Sequence, residues 1–203
     1  DLTCFSFHPV KHIATGEGGA VTTNRKDLYD KVALYRTHGI TKNPDLLTQN
    51  DGGWYYEMQE LGYNYRITDF QAALGTSQLK RLDWSIQRRN EIAKKYDEAF
   101  ADMKIKTPYR AGNLTHAFHL YMIQVDAEKR KGLFDHLRAN RIFCQVLYIP
   151  AHTMPYYRQF GWKKGDMPVA EEYYSRCLAL PMYPTLTEEE QDYVIEKVKE
   201  FIG

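Results

Sequence analysis

The chain has 203 residues, enough to bury a sizeable core in one or two domains. Its formal net charge of +1 argues against nucleic acid or an anionic membrane surface as a partner. No apolar run approaches the roughly 20 residues of a membrane span, and no signal peptide is visible. Three cysteines, far apart and without metal-ligand spacing, indicate reduced thiols, so we expect a cytoplasmic protein without a metal site.

The first stretch with chemical content runs from Cys4 to Gly19, CFSFHPVKHIATGEGG. It opens as a short apolar strand and ends in three glycines, which predicts that Lys11 lies on a loop. A lysine amine presented by a loop can attack a carbonyl carbon and form a Schiff base. The Ser6 hydroxyl and loop N–H groups suit a phosphate, so the stretch favours pyridoxal phosphate as a cofactor.

Other chemistries fit this stretch less well. Lys11 precedes the glycines and no Gly-Lys-Ser/Thr exists, which disfavours a nucleotide triphosphatase. His8 and His12 have no further ligands at zinc spacing, and each is also compatible with a hydrogen-bonded structural role.

The elements of the first part follow from capping signals and apolar spacing. Asn24 is predicted to cap a helix, and Thr68 with Gln71 forms a capping box. Residues 40–60 are polar and without periodicity, which predicts a long loop that is either functional or mobile. The predicted elements are a strand over 20–23, a helix over 26–36, and a helix that begins at Thr68 and ends near Leu82.

The second part alternates strands and helices, which is typical of a small α/β domain with a three-stranded sheet covered by helices. Thr187 with Glu190 is a second capping box. The predicted elements are a helix over 83–100, a short strand at Ile105, a strand over 117–125, a helix over 127–140, a strand over 142–149, and helices over 168–178 and 187–202.

Ordered motifs along the chain resemble the DegT/DnrJ/EryC1/StrS sugar aminotransferases, which are fold-type I enzymes that use pyridoxal phosphate. The opening FSFHPVK and ATGEGGAVTT are similar to the family's lysine segment. The later blocks are RTHGI, GYNYRITDFQAALGTSQL, QVLYIPAH, PYYRQFG and LALPMYPTLTEEE. The resemblance implies an α/β chain in which residues 1–82 are the C-terminal part of the large cofactor-binding domain and residues 83–203 are the small domain.

The resemblance also implies roles for individual residues. Lys11 would be the Schiff-base lysine and would move the proton between the substrate carbon and the cofactor. Ser6 would hold the cofactor phosphate, and Asn64 would reach the phosphate of the neighbouring subunit, so the active site would belong to a homodimer. Arg66 would stabilise its loop or touch the substrate, and His8 is placed with the substrate-binding residues.

The segment from Gln145 to Tyr148 (Gln145, Val146, Leu147 and Tyr148) is similar to the substrate segment of family members in the pseudaminic acid pathway. Such enzymes transfer an amino group from glutamate to the 4-keto carbon of a UDP-linked 4-keto-6-deoxy-N-acetylhexosamine. Their segment typically reads QVHY, whereas Leu147 replaces the imidazole here. The exact sugar therefore stays open, and Val146 also suits a buried strand.

Family members are considerably longer than this chain. The Asp that pairs with the pyridine nitrogen belongs to their N-terminal half, so we expect the 203-residue chain alone to be inactive and the intact protein to be active. Two alternatives remain open: the same chemistry on another nucleotide-linked keto sugar, and a non-catalytic α/β interaction domain. Lys11 argues against the dehydrating relatives, in which a histidine replaces the lysine.

Overall fold

The computed structural model describes residues 1–203, which form two compact units, Asp1–Leu82 and Asp83–Gly203. Strands and helices occur in both units, so the prediction of a mixed α/β chain is confirmed. No helix is both long enough and apolar enough to cross a membrane.

The first unit is built on two short antiparallel pairs and two helices. Strand β1 pairs with β2 from Thr3↔Thr22 to Ser6↔Gly19, and β3 pairs with β4. The elements are β1 (Thr3–Ser6), β2 (Gly19–Thr22), α1 (Lys26–Arg36), β3 (Ile40–Thr41), a 3-10 turn (Pro44–Leu46), β4 (Glu57–Met58) and α2 (Asp69–Leu79).

The ends of the helices in this unit test the capping predictions. Thr68 and Gln71 form the predicted capping box, each side chain accepting from the other's backbone amide. The predicted cap of α1 is wrong, because Arg25 and not Asn24 precedes the helix and makes no side-chain cap. The Thr23 hydroxyl instead accepts from the Arg25 amide at 3.1 Å, which turns the chain into α1.

The segment over 40–60, predicted as a loop, contains two short strands and a 3-10 turn that the prediction missed. Its ends pair as strands β3 and β4. The Glu57 carboxylate accepts hydrogen bonds from residues between them. That carboxylate accepts from the Thr48 amide at 2.8 Å, from the Gln49 amide at 3.2 Å and from the Tyr55 hydroxyl at 3.0 Å. Hydrogen bonds to one charged side chain order this segment. Such bonds leave no apolar periodicity in the sequence, which is the pattern by which ordered segments are usually recognised.

The second unit packs three long helices against a small antiparallel sheet. Strand β5 pairs with β6 from Tyr121↔Leu180 to Gln124↔Cys177. The elements are α3 (Leu82–Phe100), β5 (Tyr121–Gln124), α4 (Ala127–Ala139), a 3-10 turn (Ala151–Thr153), α5 (Pro155–Arg158), α6 (Pro168–Arg176), β6 (Cys177–Leu180) and α7 (Glu188–Ile202).

Four elements of this unit differ from the prediction, and its sheet has two strands where three were predicted. The short strand at Ile105 is only a bridge, Lys106↔Gln124, and the strand predicted over 117–125 is limited to Tyr121–Gln124. The last two residues of the predicted helix 168–178 belong to β6, a run of four fully apolar residues that is buried along its whole length. The predicted strand over 142–149 is reduced to one bridge, Gln145↔Ala179. Arg141 at φ +60° and a turn from the Cys144 amide to the Ile142 carbonyl bend this segment away from an extended ladder.

The hydrophobic core lies in the second unit. Helix α7 buries Val194, Ile195, Val198 and Ile202, at the spacing that puts side chains on one helical face. In residues 1–82, by contrast, only Thr15 and Gly39 are buried.

Candidate active site

Lys11 lies on a loop that is closed at its base by backbone hydrogen bonds. The Phe7 amide donates to the Gly18 carbonyl at 2.8 Å, and the Thr15 amide donates to the Phe7 carbonyl at 2.9 Å. At the tip, the Lys11 amide donates to the His8 carbonyl at 2.9 Å, which forms a tight turn. The lysine is half-buried on a loop with fixed ends, as a positioned amine requires.

Thr15 anchors this loop and was not among the predicted site residues. It is 3% exposed, and its hydroxyl donates to the Glu17 carbonyl at 2.7 Å. A Cβ on Gly18 would lie 2.6 Å from the Thr15 Oγ1, and one on Gly75 would lie 3.0 Å from its Cγ2. Both glycines leave room for Thr15, and Gly75 inside a helical pattern was a signal of this close packing.

Helix α2 also holds the lysine loop. The Gln71 side-chain amide donates to the Glu17 carbonyl at 2.8 Å, across 54 residues of sequence. The oxygen of the same side-chain amide, Gln71 Oε1, accepts a hydrogen bond from the Thr68 backbone amide at 3.0 Å. One side chain therefore starts α2 and ties it to the loop, which the capping box alone did not reveal.

Ser6 and His8 lie at the start of the same loop. Ser6 is the last residue of β1 and is exposed, and the His8 amide donates to its hydroxyl at 3.4 Å. The His8 Nε2 is 4.0 Å from a Glu17 carboxylate oxygen, with both side chains largely exposed. The structure thus brings Ser6, His8 and Lys11 into one short segment.

Asn64 lies in an extended segment of the first unit that pairs with the end of α1. Its backbone bridges Thr37, and the Tyr65 amide donates to the Arg36 carbonyl at 2.9 Å. The Tyr63 and Tyr65 rings stack at 5.0 Å, so alternation along the segment puts Asn64 on the opposite face. Asn64 is exposed, as a residue that contacts another molecule must be.

Arg66 has a partner that sequence reasoning did not identify. Its Nη1 lies 3.3 Å from the Nε2 of His38, a residue of the RTHGI block. A guanidinium can only donate, so His38 accepts with this nitrogen. His38 holds a left-handed backbone conformation at φ +63°, and its amide donates to the Tyr63 carbonyl at 2.8 Å.

The predicted substrate segment belongs to the second unit. Gln145 exchanges backbone hydrogen bonds with Ala179, and Val146 packs against the core. The Cys177 thiol donates to the Leu147 carbonyl at 3.4 Å, and the Leu147–Tyr148 peptide bond is cis. Tyr148 is 69% exposed and Gln145 is also exposed, whereas Val146 and Leu147 between them are half-buried.

The residues present fit pyridoxal 5′-phosphate by their chemistry. Lys11 offers an amine for an aldehyde, and the Ser6 hydroxyl and Asn64 carboxamide offer neutral donors for a phosphate. A Cβ on Gly16, at φ +83°, would meet nothing within 4 Å, so this side of the loop is open to another group.

The model of the DegT/DnrJ/EryC1/StrS aminotransferase family matches residues 1–199. The chain is 42% identical to the spore coat polysaccharide biosynthesis protein SpsC of Bacillus subtilis, over 100% of this chain and 54% of that protein. It is 36% identical to a UDP-4-amino-4,6-dideoxy-N-acetyl-beta-L-altrosamine transaminase of Campylobacter jejuni, over 98% of this chain and 54% of that protein. The chain thus spans about half the length of these relatives.

Solved structures agree with the family match. A Streptococcus pneumoniae protein in its PMP form superposes with a TM-score of 0.89 at 31% identity, covering 99% of this chain and 53% of that one. Its PLP form superposes with a TM-score of 0.88. The predicted fold-type and cofactor are confirmed by these neighbours.

Proposed function

This chain belongs to the DegT/DnrJ/EryC1/StrS aminotransferase family, and from that premise we propose that the whole protein is a nucleotide-sugar aminotransferase. It transfers an amino group from glutamate to the 4-keto carbon of a UDP-linked 4-keto-6-deoxy-N-acetylhexosamine, in the making of pseudaminic acid or a related surface glycan. The protein works in the cytoplasm as a homodimer with shared active sites. The observation that carries the proposal is Lys11 on a closed loop that begins at Ser6.

In this proposal each residue has a distinct task. The Lys11 Nζ would hold the cofactor covalently, and the same amine would take and return the proton at the amine-bearing carbon. The Ser6 hydroxyl would donate to the cofactor phosphate, and Asn64 would donate to the phosphate held by the neighbouring subunit. When bound, pyridoxal phosphate supplies an electron sink beside the carbon that loses its proton.

The remaining predicted residues select the sugar nucleotide. Gln145 and Tyr148 contact the substrate, while Val146 and Leu147 shape the segment around them. Arg66, oriented by His38, and His8, next to Glu17, bind polar groups of the substrate. Helix and loop anchors such as Gln71 keep these groups in place without touching the substrate.

A second candidate is the same chemistry on another nucleotide-linked keto sugar. The observation in its favour is Leu147, which cannot make a hydrogen bond from its side chain where an imidazole is usual. The similarity to SpsC, a polysaccharide biosynthesis protein, is compatible with either sugar.

The test is to incubate the whole protein with glutamate and UDP- or dTDP-linked 4-keto sugars, and to measure 2-oxoglutarate and the aminated sugar by mass spectrometry. We expect product with the UDP-N-acetylhexosamine and none from a Lys11→Ala variant. Product with another nucleotide sugar alone selects the second candidate. No product with any of them favours a non-catalytic interaction domain.

A further inference from the structure

A buried hydrogen bond between two side chains in the second unit joins the segment after Tyr148 to helix α6. His152 lies in the 3-10 turn, and its Nε2 is 2.8 Å from the Glu171 Oε1. The two side chains are only 8% and 17% exposed. Because an ionised carboxylate can only accept, the His152 Nε2 carries the proton and donates it. The contact therefore fixes both the position and the tautomer of the ring.

The same carboxylate oxygen holds a third segment. The Gly165 amide donates to the Glu171 Oε1 at 2.7 Å, with Gly165 in a left-handed conformation at φ +97°. The other hydrogen bonds of residues 159–166 are local, for example from the Lys163 amide to the Asp166 carboxylate at 2.8 Å. We call His152, Glu171 and Gly165 the Glu171 clasp.

The clasp closes a loop that carries exposed aromatic rings. Tyr156 and Phe160 are 65% and 63% exposed, and their rings meet edge to face at 5.6 Å. Such rings offer apolar faces on which a nucleobase can stack. Along the chain, His152 follows Tyr148 by four residues and precedes Tyr156 by four. A fixed His152 therefore limits the movement of both flanks of the turn.

Removal of one partner would release these segments. A buried donor without its acceptor is costly, and a hydrogen bond to a charged group costs more to lose than one between neutral groups. Gly161 and Gly165 both hold positive φ angles, and glycines favour movement once the clasp is open.

We propose that His152 and Glu171 are positioning residues for the nucleotide sugar, and that the Glu171 clasp holds the segment Gln145–Tyr148 and the rings of Tyr156 and Phe160 in one arrangement. This inference rests on the proposed function and deepens it. Neither residue touches the reacting atoms, so the clasp acts on binding of the nucleotide sugar and not on the reaction with glutamate.

Trypsin tests the clasp without any assay of activity, because Arg158, Lys163 and Lys164 all lie in the clasped loop. In the whole protein, we expect Glu171→Ala to be cut at these sites about tenfold faster than wild type under native conditions. Glu172→Ala is the matched control, since it removes from the same helix an exposed carboxylate whose ion-pair partner is Arg176 and not a member of the clasp. Equal cutting rates in wild type and Glu171→Ala would overturn the clasp.

Steady-state kinetics then test the positioning role. We expect Glu171→Ala to raise the KM for the nucleotide sugar about tenfold while the half-reaction with glutamate keeps its rate. Glu171→Gln and His152→Gln retain hydrogen-bonding groups near the same positions and should recover most of the affinity. If Glu171→Ala impaired both half-reactions equally, the clasp would have only a structural role and the proposal would be refuted.

If the proposed function were wrong, the kinetic experiment would give a different result from the one that refutes the clasp. If wild type itself transfers no amine to any nucleotide sugar, the proposed function fails and, with it, the positioning role. The proteolysis comparison still decides whether the Glu171 clasp holds the loop.

Discussion

At the scale of single residues, two glycines determine where the Asn64 segment lies. A Cβ on Gly39 would be 1.8 Å from the Glu60 carbonyl oxygen, and one on Gly62 would be 2.1 Å from the Gly39 nitrogen. The atoms that each added Cβ would approach belong to the backbone, so no side-chain movement could relieve the overlap. Gly39 also holds φ +68°, which L residues seldom adopt.

We therefore predict that Gly39→Ala destabilises the whole protein by about 2 kcal/mol or more. Gly53→Ala is the control, because a Cβ there meets nothing within 4 Å. Chemical denaturation monitored by circular dichroism should separate the two variants. Equal stabilities would mean that the Gly39–Glu60 approach is relaxed in solution.

Residue types alone could indicate Lys11 and Ser6 as candidate site residues, because the chemistry of each is suggested by neighbours at short spacing. Thr15 could not be identified in this way. Its role depends on burial beneath Gly18 and Gly75, and Gly75 lies 60 residues further along the chain. The pairing of Arg66 with His38 has the same cause, since it joins residues that are distant in sequence.

At the scale of elements, the hairpin β3–β4 depends on one carboxylate. Hydrogen bonds from the Thr48 hydroxyl and then the Thr48 amide lower the pKa of Glu57 to about 2. A group with a lowered folded pKa stabilises the fold above its unfolded value, near 4.5, and loses this contribution as the pH falls through about 2. The hairpin should thus keep its order at mildly acidic pH.

An NMR titration of the Glu57 side-chain carboxyl carbon checks this, with an expected midpoint near 2. Thr48→Ala should move the midpoint upward, because it removes the strongest cause of the lowered pKa. Thr48→Ser keeps the hydroxyl and should leave the midpoint low. A wild-type midpoint near the ordinary value of 4.5 would contradict the hydrogen-bond network.

Elements with local signals were predictable from sequence. Helix α1 has the predicted bounds, and both capping boxes form, at Thr68 and at Thr187. Strand β6 was not predictable, because its four apolar residues continue a helical pattern and become a strand only by pairing with β5. Pairing between distant segments decides such cases.

At the scale of the whole molecule, burial is distributed unevenly. Residues 83–203 contain a contiguous core that includes Tyr96, Phe100, Tyr121 and Phe118 at 1% exposure or less. The first unit leaves large apolar side chains accessible, among them Phe70 at 90% exposure. A polypeptide that buries little apolar area cannot offset its conformational entropy.

We predict that residues 83–203, expressed alone, unfold cooperatively, and that residues 1–82 alone do not. Thermal melts followed by circular dichroism, with near-ultraviolet signals as a measure of fixed aromatic packing, distinguish the two. A cooperative transition from residues 1–82 alone would show that the loops and hairpin of this unit suffice for a stable fold.

The central claim is that Lys11 holds pyridoxal phosphate, and covalent trapping tests it most directly. The whole protein, loaded with cofactor, is reduced with borohydride, digested and mapped by mass spectrometry, with Lys11→Arg as the matched control. We predict that the pyridoxyl group is found on Lys11 and is absent from this position in the variant. A pyridoxyl group on another lysine, or no adduct in protein that absorbs as a cofactor-loaded enzyme, would contradict the account.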